Sequence, residues 1–217
     1  MPRRTVALLL AGTIAIAGCG GSGTKTAGTT ATTAKVGSTT TTAAPSPLLP
    51  LLASKVPAGF ELQPDDVGDT GPSDLAKATA DDGADDAEKA LTDAGFVRGY
   101  QQLWVNGDND EIILIVYEFK TGPGATSYQK RGEAVLADPA QLPAGVHLTP
   151  LEVPGIAGVY GTTAVIDASE TDPASATAVV LFTRGVYTVQ VIANGGPSAP
   201  VAERALQFSK EQFDKLA

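Results

Sequence analysis

The chain is poor in the side chains that most often do chemistry, with one cysteine, one histidine, one tryptophan and one methionine among 217 residues. A single cysteine excludes an intrachain disulfide. One cysteine with one histidine also cannot supply the ligands of a zinc or haem site, and no cofactor is expected. Basic residues are scarce: 15 Lys and Arg stand against 24 Asp and Glu, a formal charge of −9. That balance argues against nucleic acid, which needs a basic stripe, and against close docking onto anionic lipid headgroups. No apolar run approaches the roughly 20 residues that a membrane-spanning helix takes.

What is present begins with an export signal. Arg3 and Arg4 form a positive n-region, Val6 to Ala17 an apolar h-region, and small residues lead into Cys19. Residues 1–18 are therefore expected to be removed. Ile16-Ala17-Gly18-Cys19 resembles the bacterial lipobox, and the resemblance implies a diacylglyceryl group on Cys19, which becomes the new N-terminus. A lone free thiol would be unusual in an exported protein, and lipidation gives this one a use. Two acyl chains, at about 0.8 kcal/mol per buried CH₂, hold far better than one. The expected location is the outer face of the cell membrane, with the membrane as a partner through the lipid.

Residues 19–47 then read as a tether. Thr, Ala, Gly and Ser dominate, with Thr29-Thr30, Thr32-Thr33 and the run Thr39 to Thr42. Such a segment cannot bury enough apolar surface to offset its ordering entropy. As a flexible coil it would span roughly 30 Å root-mean-square, enough to clear the headgroups. Residues 48–217 remain for one globular domain. Without Arg3 and Arg4 the charge falls to −11, and setting aside Lys25 and Lys35 in the tether leaves the domain at −13.

Inside the domain the hydrophobic period changes along the chain. Leu48-Leu49-Pro50-Leu51-Leu52 is a short apolar run that packs on the domain or lies at its edge, and Val56 to Leu62 reads as a short strand. Ser73 to Ala80 is expected to make a helical turn capped by Ser73, and Asp82 to Ala94 a helix stopped by Gly95. Phe96 to Val105 and Glu111 to Phe119 are strand-like, with Asn106-Gly107 between them as a hairpin signal. The continuous apolar run Ile112 to Val116 predicts a central strand covered on both faces. Ala125 to Ala137 reads as a helix after the Gly122-Pro123-Gly124 punctuation.

The second half repeats the order. Gly158 to Ile166, Thr177 to Thr183 and Val186 to Ala193 read as strands, and Ala199 to Leu216 as a helix with an apolar stripe through Val201, Ala205, Phe208, Gln212 and Leu216. The expected fold is α+β: an antiparallel sheet of about five to seven strands backed by two or three helices, possibly as two related strand-strand-helix halves. The lipobox, the Thr-rich spacer and these paired units, carried by Arg98-Gly99-Tyr100 through Tyr117-Glu118-Phe119 and by Thr183-Arg184-Gly185-Val186-Tyr187, resemble lipoproteins of high-GC Gram-positive bacteria. Their ectodomains resemble kinase-sensor domains and PsbP-like photosystem-assembly lipoproteins. The likeness implies location and fold, and no functional residue.

Chemistry-bearing motifs are few. Ser127-Tyr128-Gln129-Lys130 matches Ser-x-x-Lys, but its companions Ser-Asp-Asn and Lys-Thr-Gly are missing, and Ser127 and Lys130 are expected to face solvent. His147 lies in a Pro/Gly-rich loop or an edge strand, where a surface role outweighs a catalytic one. Asn106, Asp108 and Asp110 alternate as a calcium loop begins, yet the sixth-position Gly and twelfth-position Glu are missing, so a hairpin turn explains them. Asp81, Asp82, Asp85, Asp86 and Glu88 read as caps and solvated charge. Tyr100, Trp104 and Tyr117 are the candidate contacts for a ligand or partner, with core packing as the competing reading. The expectation is a non-enzymatic binding or interaction domain for an envelope protein or a small apolar or sugar ligand. A sensor or assembly factor for a membrane partner is the alternative, and an envelope hydrolase a third.

Overall fold

The computed structural model describes residues 45–64, 70–138, 140 and 142–217, so residues 1–18, Cys19 and most of the tether lie outside the described residues. Strand alternation sets the architecture, because a period of two sends neighbouring side chains to opposite faces. Two long hairpins form the middle of the sheet. One joins β3 (Phe96–Val105) to β4 (Glu111–Phe119), and the other joins β7 (Ser175–Arg184) to β8 (Tyr187–Gly195). They meet where β4 pairs antiparallel with β8, with Ile113 opposite Ile192 and Val116 opposite Val189.

Shorter strands complete the edges. β1 (Glu61–Leu62) and β2 (Gly71–Ser73) both pair with β3, Leu62 against Trp104 and Ser73 against Gly99. On the far side β6 (Tyr160–Ile166) pairs with β7, and β5 (Val146–Pro150) with β6. The described residues thus form one antiparallel sheet of eight strands in the order β1-β3-β4-β8-β7-β6-β5, with β2 beside β3. The α+β class stands, and the count of eight comes from the two short pieces that share the free edge of β3. Val56 to Leu62 contributes only its last two residues as strand.

Among the described residues four α-helices cover this sheet, more than the two or three expected. α1 (Leu75–Asp82) stands where a helical turn was expected from Ser73 to Ala80, and α2 (Ala87–Ala94) begins five residues later than the expected Asp82, because Gly83 adopts the left-handed conformation and closes α1 there. The cap of α1 is Asp74, whose side chain accepts from the Lys77 N–H at 2.8 Å. Ser73 is not the cap because its backbone is committed to pairing with Gly99. α3 (Gly122–Ala137) starts three residues before the expected Ala125: Thr121 caps it by accepting from the Gly124 N–H, and Pro123 sits in the first turn, which tolerates a missing donor. α4 (Val201–Lys215) closes the chain.

The helices divide between the two faces. Ile112, Leu114 and Val116 of β4 join Val180, Phe182, Val189 and Val191 under Val201, Ala205 and Phe208 of α4. Ile113, Ile115, Tyr117 and Phe119 of the same strand join Val179, Leu181 and Ile192 under α1, α2 and α3, through Ala78, Leu91, Ala125 and Leu136. β4 is therefore covered on both faces, as its unbroken apolar run predicts. Each fully buried side chain of this size is worth about 1.5–3 kcal/mol of transfer free energy. The order strand-strand-helix occurs in both halves, but α3 and α4 lie on opposite faces, so the likeness is one of order and not of placement.

Leu48-Leu49-Pro50-Leu51-Leu52 belongs to the core. Leu49–Leu51 form a single 3₁₀ turn, and Leu48, Leu52 and Ala53 are buried in the α4-side cluster. Gln212 holds this strap from the middle of the apolar stripe of α4. Its Oε1 accepts from the Ala53 N–H at 2.7 Å and its Nε2 donates to the Leu51 carbonyl at 3.0 Å.

Candidate functional site

Tyr100, Trp104 and Tyr117 are core residues, with 6%, 4% and 5% of their surface exposed. Alternation along the hairpin sends Tyr100 and Trp104 to the α4 side and Tyr117 to the other, so the sheet separates them. Trp104 packs edge-on against Phe208 with ring centroids 5.0 Å apart. Tyr117 packs against Phe96 at 5.3 Å and Tyr128 at 6.0 Å. Gly99, opposite Tyr117, makes this possible, because a Cβ there would collide with the Tyr117 ring. All three lie within the hydrophobic clusters of the core.

The acidic cluster has a definite partner. α1 ends on Asp82 and α3 carries Arg131, whose guanidinium meets Asp82 through both nitrogens at 2.8 and 3.2 Å and Asp86 at 2.5 Å. The Tyr128 hydroxyl donates to Asp82 at 2.5 Å. Asp82 is only 1% exposed at its side chain, so the guanidinium provides the charge that a buried carboxylate needs. Arg131 holds the Asp86 carboxyl below the usual carboxylate range. Burial, reinforced by Asp82, pushes the Tyr128 phenol well above its ordinary value, and burial with Asp81 and Asp82 nearby does the same to Tyr117. The cavity among Asp82, Tyr117, Tyr128, Gln129 and Gln190 holds about 20 Å³, room for one or two waters. Asp85 and Glu88 do not enter the Arg131 ion pairs.

The other chemistry-bearing residues fall apart in space. Asn106 organises the hairpin turn, its Oδ1 accepting from the Asp108 and Asp110 N–H groups at 2.9 Å each, with Asn109 left-handed at φ 60°. Asp110 bonds Arg204 of α4 at 2.7 Å, so an arginine answers this carboxylate. Ser127 and Lys130 are exposed on α3. His147 stands exposed on the edge strand β5, its Nε2 3.1 Å from Asp167. Among the described residues, no group of three or more His, Cys, Asp or Glu side chains is gathered as a metal site, and no helix is long and apolar enough to cross a membrane.

A groove of about 780 Å³ runs along the outer side of α4. Leu206, Gln207, Lys210, Glu211, Asp214 and Lys215 line it from the helix, Ser54 and Lys55 from the end of the strap, and Val153, Pro154 and Ile156 from the loop before β6. The wall at Ser54-Lys55 is fixed by Glu211, whose Oε1 accepts from both backbone N–H groups at 3.3 and 2.9 Å. Lys210 pairs with Asp214 at 2.7 Å. The ammonium groups of Lys55 and Lys215 have no carboxylate partner within 4 Å among the described residues. Sequence reasoning missed this groove, because its walls come from segments about 150 residues apart. The one local signal was Gln212, a polar residue inside the apolar stripe of α4.

No family model matches the chain, and no curated protein matches it. Solved structures similar to this chain include two from mycobacteria. One is the extracellular domain of PknH from Mycobacterium tuberculosis, with a TM-score of 0.44 and 14% identity over 76% of this chain and 80% of that one. The other is an uncharacterized protein, the Rv0999 ortholog from Mycobacterium smegmatis, with a TM-score of 0.43 and 16% identity over 74% and 90% of the two chains. At these scores the likeness carries nothing about ligand or activity, which are argued from the residues alone.

Proposed function

We propose that this chain is a lipid-anchored extracytoplasmic protein whose domain is a non-enzymatic binding module, with the groove along α4 as its contact surface. The groove carries the reading. It is open, mixes an apolar bed with charged rims, and at about 780 Å³ has the size of a recognition site. The cavity described beneath α3 is far smaller, at about 20 Å³. The anchor rests on the export signal and on Cys19 at the end of it.

A specific observation favours the sensor or assembly-factor form of this reading. The strap that follows the tether is bonded to α4 by Gln212, and its next residues, Ser54 and Lys55, form a wall of the groove. A partner seated there touches the segment nearest the membrane attachment.

Two measurements test the proposal. Cys19→Ala is expected to release the protein from the membrane fraction or stall its processing, with the domain folded as before, and equal retention would remove the anchor. A photo-crosslinking amino acid at Gln207, exposed in the groove, is expected to give adducts in the native envelope that the same probe at Ser127 on α3 does not give. Equal labelling at the two positions, or none at Gln207, would remove the groove.

A further inference from the structure

We infer that the occupant of the α4 groove is an acidic, apolar-studded segment of a partner protein, a step that rests on the groove being the contact surface. Part of the charge in the groove is already engaged. Glu211 accepts from two backbone N–H groups of the strap, and Asp214 is paired with Lys210. Lys55 and Lys215 are exposed, and their ammonium groups have no carboxylate partner within 4 Å among the described residues. The charge on offer in the groove is therefore positive, on a domain whose formal total is −13. Val153, Pro154, Ile156 and Leu206 supply apolar surface beside these lysines. Carboxylates meeting Lys55 and Lys215, with an aliphatic side chain seated on the apolar residues, would complement the groove in both respects.

The same features favour a protein segment over a lipid. An acyl chain laid in a groove open to solvent keeps much of its surface wet and loses most of its transfer free energy. An anionic bilayer would also meet the acidic surface of the whole domain, whereas a single segment feels chiefly the charges within about 8 Å of it at physiological salt.

The test uses the mature lipidated chain in phosphatidylcholine nanodiscs and a fluorescein-labelled synthetic peptide of leucine and glutamate, leucines at helical spacing, followed by anisotropy. Binding is expected to weaken about threefold in Lys55→Gln/Lys215→Gln and at least tenfold in Lys55→Glu/Lys215→Glu. It should weaken as salt rises, and the lysine-for-glutamate version of the peptide should bind at least tenfold less tightly. Failure of the acidic peptide to bind, equal binding to the native chain and the Glu/Glu variant, or a preference for the basic peptide overturns the inference. So does a lysine-dependent closure of the groove onto phosphatidylglycerol nanodiscs without peptide, read by quenching of a fluorophore at Gln207. The crosslinking probe at Gln207 separates the two levels. Adducts that persist unchanged in the Glu/Glu variant keep the groove as a contact surface and remove the acidic occupant, whereas the absence of adducts from the chain with Lys55 and Lys215 intact removes both.

Discussion

The α4 face and the α1–α3 face of one sheet are covered with different chemistry. On the α4 side Trp104, Phe182 and Phe208 pack with aliphatic residues, and the main polar intrusion is Gln212, both ends of which are bonded to the strap. On the other side the rings of Phe96, Tyr117, Phe119 and Tyr128 share the interface with Asp82, Arg131, Gln129 and Thr188. The first face is held chiefly by shape, with the Asp110–Arg204 pair at its edge. The second depends on a few polar groups that must all be paired, since a half-satisfied buried network is worse than an apolar one. The proposed contact surface lies outside the apolar face, along the exposed side of α4.

The largest effect that would sharpen this contrast is expected from Phe208→Ala. It removes the ring against Trp104 and should destabilise the domain by about 3–5 kcal/mol, equally from pH 5 to 9, by urea denaturation. Arg131→Ala on the other face leaves the Asp82 carboxylate buried and unpaired, at about 3 kcal/mol. Arg131→Leu with Asp82→Leu should recover much of that loss, which a shape-dependent site would not allow. If Arg131→Ala proves neutral, the polar face is not held by its ion pair.

Gln212→Ala should cost about 2 kcal/mol by stranding the Ala53 N–H and the Leu51 carbonyl, with faster hydrogen exchange confined to the strap. The smallest effect is alkaline. Tyr117 and Tyr128 have folded pKa values raised above the ordinary 10, so the unfolded chain loses these protons first. Their contribution is full below pH 10 and falls above it, by up to about 1.4 kcal/mol per pH unit for each phenol. Tyr128→Phe should flatten that slope, and an unchanged slope would place the alkaline lability elsewhere.

Much of the fold was legible because local pattern and global fold agree. Phe96–Val105 and Glu111–Phe119 have the expected bounds, since alternation, a turn signal and a continuous apolar run all operate within about 25 residues. The misreadings are equally local. Gly122-Pro123-Gly124 looked like punctuation but is the first turn of α3, and Gly83 looked like helix interior but ends α1. The candidate site was not legible. The Asp82–Arg131 pair joins residues 49 positions apart, and the strap reaches Gln212 across 159, so no window of sequence contains either. The preference for Tyr100, Trp104 and Tyr117 followed residue type, which for a large aromatic reports burial more often than contact.

The placement of α3 and α4 has one more consequence. A rotation that exchanges the antiparallel neighbours β4 and β8 runs normal to the sheet and keeps each face on its own side. Two copies of a strand-strand-helix unit joined by that rotation would stack both helices over one layer and leave the other bare. The chain therefore has no interchangeable modules. Grafting the β3-β4-α3 unit in place of β7-β8-α4 would strip the Ile112, Leu114 and Val116 side of β4 of its cover, and a truncation before Val201 would expose Val180, Phe182, Val189 and Val191 together.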